Sequence, residues 1–277
     1  MHARRMDVTA RLRPGYTFAW PLDRKLTLWL ASLAALTAVN IGLWIAMARS
    51  VSLRSPYAEA QLLLSGVYVA VCGFRSLVPR VDLERVCVWD SWLSSIMLGR
   101  TAATIAELCF ALQCGLFVHR LAEMTGTPLL SAGAQLMVPL ALLAQLVCWY
   151  AVLSLNPIGH VIEESLWALL MLILSASCGA AAFGVEGPLR VMLIVGFLVY
   201  GVAAGLTMTF DVGMYVRRWR QRASDRRLAL AAGLRDCLQR RLPSPAWHAW
   251  REEVPWMTLY FSVGVWTSLA MVLLDWA

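Results

Sequence analysis

Seven stretches of twenty or more mostly apolar residues, separated by short polar connections, constrain this chain more than any other feature. They cover residues 26–48, 58–78, 92–118, 129–155, 157–183, 189–216 and 254–276. A helix rises 1.5 Å per residue, so about 20 residues cross the roughly 30 Å of hydrocarbon in a bilayer. Each stretch is long enough to do so. Composition agrees: 15% of residues are charged and 60% hydrophobic, where a soluble domain carries about a quarter and about half. The fold class read from this pattern is all-α, a polytopic transmembrane bundle of about seven spans.

The first apolar run ends in Ala46-Met47-Ala48, which resembles a signal-peptidase site. The run itself is about 23 residues, longer than the 7 to 15 of a signal core, and reads as a full span. Turn residues open several connections, as in Arg54-Ser55-Pro56, Gly126-Thr127-Pro128 and Glu186-Gly187-Pro188. The order is a basic N-terminal segment (1–25), six spans (26–216), an arginine-rich segment (217–253) and a last span (254–277).

Lysine and arginine near span ends resist translocation and so report orientation. With the N-terminus inside, the inner segments hold 18 of them, ten between positions 217 and 251, and the outer segments hold 4 (Arg49, Arg54, Arg120 and Arg190). The N-terminus is therefore expected in the cytoplasm, with the chain in a cytoplasmic (inner) membrane. The formal charge of +7 accompanies no nucleic-acid motif, and the arginines flank apolar runs; anionic lipid at the cytoplasmic leaflet is the expected partner. Leu228, Ala231, Leu234, Leu238 and Leu242 recur at helical spacing among the arginines, which predicts an amphipathic interfacial helix over 224–242, stopped by Pro243. Trp247, Trp250 and Trp256 mark the interface after it.

Two groups of residues call for chemistry. In the third span Arg100, Thr104 and Glu107 share a helical face. Counted from Trp92, Arg100 lies about 12 Å and Glu107 about 22 Å deep, about 10 Å apart along the axis, so they pair directly only if the arginine stretches. A charge there costs about 2.5–3.5 kcal/mol even on the mild insertion scale, so both must face the bundle interior. They read as a packing ion pair, as a proton or ion relay, or as an anion site.

In the fifth span Asn156-Pro157 starts a helix on which His160, Glu163, Glu164 and Trp167 fall on one face. His248 and Glu252 make a similar i, i+4 pair before the last span, on the same side of the expected topology. Two helices offering histidine and glutamate resemble the ligand supply of carboxylate metal sites, so His160, Glu163, His248 and Glu252 form a candidate site for a divalent transition metal. Asp82, Glu84 and Asp90 are placed to join it. The alternative is a solvated charged rim countered by Arg85 and Arg251.

Some functions fall away. A retinal protein needs a lysine within a span, and the only lysine is Lys25 at the mouth of the first. No phosphate loop or nucleophile elbow is present. The seven cysteines show no C-x-x-C pair or zinc spacing and read as small buried residues. Small-residue runs at 201–205 and 175–182 read as helix-packing surfaces. Two functions remain: a membrane-embedded enzyme using His160, Glu163 and Glu164 on a lipid or lipid-soluble substrate, or a proton- or ion-coupled transporter centred on Arg100 and Glu107. A third option is a structural or assembly partner with no site.

Overall fold

The computed structural model describes residues 21–50, 55–221 and 227–273. The expected basic segment before position 21, the start of the arginine-rich helix at Ser224 and the end of the last span at Trp276 lie outside them.

Long helices fill the chain: α1 (Arg24–Ser50), α2 (Pro56–Leu77), α3 (Ile96–Thr125), α4 (Pro128–Ser154), α5 (Pro157–Ala181) and α6 (Gly187–Leu206). Local chemistry places their ends. Ser55 caps α2 by accepting from the Ala58 N–H, and Asn156 caps α5 by accepting from the Ile158 N–H, each ahead of a proline in the first turn. Gly126, at φ 63°, ends α3 in the left-handed region that glycine enters without a Cβ clash. Among the described residues six helices are long and apolar enough to cross a membrane, the sixth running on from α6 through a π-helical turn (Thr207–Val212) into α7 (Gly213–Gln221).

The seventh expected span is also helical, but interrupted: α9 (Val254–Leu259), a π turn (Tyr260–Gly264), then α10 (Val265–Val272). A π turn frees a carbonyl from the helical ladder, and here Phe261 O accepts from the Asn40 side-chain amide of α1 at 2.8 Å. Asn40 is in turn held by the Trp266 indole at 3.0 Å.

Consecutive helices pack on one another from α1 to α6, and α10 returns against α2 to close the bundle. The burial pattern is that of a lipid-solvated protein. Leu63, Leu129, Leu146, Phe183, Val191 and Val202 are each more than 60% exposed, while Gln61, Gln113 and Ser268 are fully buried. Those three bond across α2, α3 and α10: Ser268 donates to Gln113 Oε1 at 2.6 Å, and Gln61 Nε2 to the Gln113 carbonyl at 3.0 Å. Polar groups inside and leucines outside is the arrangement that hydrocarbon solvent demands.

One end of the bundle gathers the start of α1, the ends of α2, α4 and α7, and the starts of α3, α5 and α9; this is the arginine-rich end. A small three-stranded sheet sits there: β1 (Arg80–Val81) pairs antiparallel with β2 (Val86–Cys87), which pairs parallel with β3 (Leu242–Pro243). It ties the α2–α3 connection to the distant arginine-rich segment. That segment's helix, α8 (Leu230–Gln239), is ten residues rather than the expected nineteen: residues 227–229 ahead of it are not helical, and beyond Arg240 and Arg241 the chain turns into β3.

Candidate functional site

The buried charges converge between α2, α3, α4, α5 and α9–α10. Helix α3 starts at Ile96 rather than Trp92, which lies in a separate 3-10 turn, so Arg100 is only four residues into the helix and Glu107 eleven. The sequence expected about 10 Å between them along the axis. The arginine does stretch: its Nη2 donates to Glu107 Oε2 at 2.7 Å, and both side chains are under 10% exposed.

Further residues complete the cluster, and the sequence did not single them out. Gln145 of α4 donates to Glu107 Oε2 at 2.5 Å and accepts from Arg100 at 3.1 Å and from the Thr104 hydroxyl at 2.8 Å. Trp149 donates to Thr104 at 3.0 Å, Tyr260 donates to Glu107 Oε1 at 3.3 Å, and Arg75 of α2 comes within 3.9 Å of the same oxygen. Tyr260 opens the π turn between α9 and α10, the sort of local defect often found at functional sites.

From Arg100 the cluster reaches the second predicted group. Arg100 Nη1 lies 3.9 Å from Glu163 Oε1, and the other oxygen of Glu163 meets His160 Nδ1 at 2.6 Å. His160 and Glu163 are both buried on α5. Glu164 is half-buried and makes no hydrogen bond or ion pair among the described residues. The third member beside His160 and Glu163 is Cys148 of α4: its sulfur, a His160 ring nitrogen and a Glu163 oxygen all lie within 4.8 Å of one another. Gly159 makes this approach feasible, since a Cβ there would sit 2.6 Å from the Ala151 Cβ.

The expected four-ligand site of His160, Glu163, His248 and Glu252 is not what the fold assembles. His248 and Glu252 are exposed, and among the described residues the one cluster of three metal-ligand types is Cys148, His160 and Glu163. Glu252 instead accepts from Arg218 at 2.8 Å, and Glu253 from the same nitrogen at 3.1 Å, with Glu84 at 3.8 Å from that guanidinium. The Arg218 hydrogen bond draws the Glu252 carboxyl below its ordinary range, while burial pushes Glu253 up. The rim's counter-charge is thus Arg218 of α7, where the sequence reading named Arg251 and Arg85.

Asp90 pairs with Arg241 at 2.9 Å, and Arg85 is spent on Asp236 of α8 at 2.7 Å and on the Val152 carbonyl at 2.8 Å. The two histidine–glutamate groups are nevertheless connected, through aromatic stacking. Tyr215 stacks on His160 with centroids 4.7 Å apart, and the Arg218 guanidinium lies 5.6 Å from the Tyr215 ring centroid.

The donor types fit a metal. Thiolate, imidazole and carboxylate are a zinc-type set with a fourth position open. Two ligands about 2.0–2.1 Å from one tetrahedral ion stand about 3.3 Å apart. The 2.6 Å between His160 and Glu163 is a hydrogen bond instead, so an ion requires a small rotation of one side chain. Without an ion, Glu163 orients the imidazole through that hydrogen bond, with the Cys148 sulfur, a nucleophile type, alongside. Comparison with protein-family models, with curated proteins and with solved structures finds no match for this chain.

Proposed function

We propose that the protein is a membrane-embedded enzyme acting on a lipid or lipid-soluble substrate, with Cys148, His160 and Glu163 as its reacting groups. The carrying observation is their mutual approach within 4.8 Å in a buried site at the arginine-rich end of the bundle. A structural ion pair needs opposite charges only. A thiol placed beside a carboxylate-oriented imidazole is a constellation of acid–base and nucleophilic chemistry.

Arg100 serves as a fixed positive charge against Glu163, set in place by Glu107 and Gln145. His160 is covered by Tyr215, so substrate entry requires movement of α7, and the π turn immediately before that helix supplies a point of weaker backbone hydrogen bonding. Where a transition metal is bound, Cys148, His160 and Glu163 hold it, and it supplies Lewis-acid activation of water or of a carbonyl or phosphoryl oxygen.

A second reading, a proton-coupled carrier, is favoured by one observation. The polar chain continues from Glu163 through Arg100 to Glu107 and Tyr260, deeper in the bundle. One set of proteoliposomes made with a total lipid extract separates the two. Mass spectrometry of lipids after incubation is expected to show at least one species consumed by the wild type and spared by His160→Ala and Glu163→Gln. Unchanged lipids, together with dissipation of an imposed pH gradient that depends on Glu107, overturn the enzyme and establish the carrier. Elemental analysis of the same preparations reports the metal: near-stoichiometric zinc or a similar ion, lost in Cys148→Ser and Glu163→Gln, is the outcome for metal-assisted chemistry.

A further inference from the structure

Helix α8 has one face held by the bundle and a neighbouring face held away from it. A Cβ on Gly233 would sit 1.9 Å from the Leu153 carbonyl oxygen, so this helix backbone touches the end of α4 where no larger residue fits. One turn on, Cys237 is fully buried in a small core with Ile96, Cys148 and Val152. Between them Asp236 takes the Arg85 guanidinium at 2.7 Å. Arg85 adopts a positive φ of 59°, a conformation uncommon for a side chain of its size, and is 1% exposed. These contacts fix the roll of α8 about its own axis.

With the roll fixed, Leu230, Leu234 and Leu238 are held outward, 53%, 45% and 51% exposed, and Leu242 continues the row at 40%. At 100° per residue the leucine row lies about a quarter turn from the docked face. Arg235 lies about a further quarter turn on. It and Arg227 are exposed and make no ion pair among the described residues. An isolated amphipathic helix would turn its leucines into the protein; this one spends its glycine and cysteine there.

We propose that α8 docks on an anionic lipid surface, its leucine row entering the acyl boundary and Arg227 and Arg235 meeting the headgroups of the leaflet at the arginine-rich end. A lipid surface fits better than a partner protein for two reasons. The helix sits against residues 152–154, at the end of a membrane-spanning helix, where headgroups lie. The two charges there without an ion-pair partner among the described residues, Arg227 and Arg235, are both positive, as anionic headgroups require. Because Cys237 packs with Cys148, the lipid-bound helix also forms the back wall of the buried cluster. The lipid contact itself is independent of the enzymatic reading.

The test is amide hydrogen exchange over residues 228–242 of the full-length protein, in bilayers of phosphatidylcholine alone and of phosphatidylcholine mixed with phosphatidylglycerol. Each engaged arginine is expected to slow exchange about fivefold in the anionic bilayer. Arg227→Gln with Arg235→Gln should erase the difference between lipids while leaving the folded bundle intact, and Leu234→Ser with Leu238→Ser should speed exchange in both. Equal exchange in the two bilayers overturns the proposal. So does protection that appears only as protein density rises, since that identifies a second copy of the chain as the occupant.

Discussion

Replacing Glu107 by glutamine tests whether the buried network is held by charge balance. Glu107 serves two cations at once, Arg100 at 2.7 Å and Arg75 at 3.9 Å, besides accepting from Gln145 and Tyr260. With Glu163 it makes two carboxylates against two guanidiniums. In Glu107→Gln the shape is kept, but Arg75 and Arg100 are left with Glu163, which lies 3.9 Å from Arg100 and is already hydrogen-bonded to His160. Stranding a buried charge in this way costs about 3–5 kcal/mol.

Arg100→Met is gentler, because Glu107 keeps Arg75, Gln145 and Tyr260. The loss is then nearer that of a hydrogen bond to a charged group, about 1.5–3 kcal/mol. Adding Arg75→Met to Glu107→Gln restores one cation to one carboxylate and should recover a large part of the loss. Thermal unfolding in detergent measures this. At about 2 °C per kcal/mol for a chain of this size, Glu107→Gln should melt about 6–10 °C below the wild type. If Arg75→Met deepens the loss in Glu107→Gln, charge balance does not hold the cluster together.

Two further outcomes are expected. Reporter fusions after Leu155 and after Arg222 should both read cytoplasmic, following the excess of arginine at that end; an external signal at either position refutes the seven-span map. Burial pushes the Cys237 thiol up to about 11 from an ordinary value of 9.0, so the docked helix favours the neutral thiol. The stability this contributes is complete below the unfolded value and is lost as pH rises through the folded one. Maleimide labelling of Cys237, resolved by peptide mass, should therefore be slow at neutral pH and accelerate between pH 9 and 11 more steeply than thiolate formation on an exposed cysteine. Rapid labelling at neutral pH refutes the docking of α8.

How much of this was legible in the sequence depends on which physical constraint acted. Hydrocarbon imposes an apolar length of about 20 residues per span, so the six long apolar helices could be located from composition alone, while the interruption of the seventh expected span could not. The π turns at Thr207–Val212 and Tyr260–Gly264 leave no such trace, since they change the hydrogen-bond register and not the residue types. The strands of two residues each are too short to carry an alternating pattern.

Arg100, Glu107, His160 and Glu163 stood out because charge in a span is expensive. Cys148, Gln145 and Tyr260 are cheap there, and nothing marked them individually. A signal for Cys148 did exist in the hairpin geometry. Helices α4 and α5 are joined by a connection so tight that Leu155 takes a positive φ of 56° and Asn156 caps the next helix. In such an αα-hairpin, residues equidistant from the turn face one another. Ala151 and Gly159 are one such pair, with a 2.6 Å clash awaiting any Cβ at the glycine. Cys148 and Glu163, seven residues before Leu155 and eight after it, are another. Folding the sequence back on Leu155-Asn156 therefore places a thiol opposite the carboxylate, and the tightness of that connection is what keeps the two aligned.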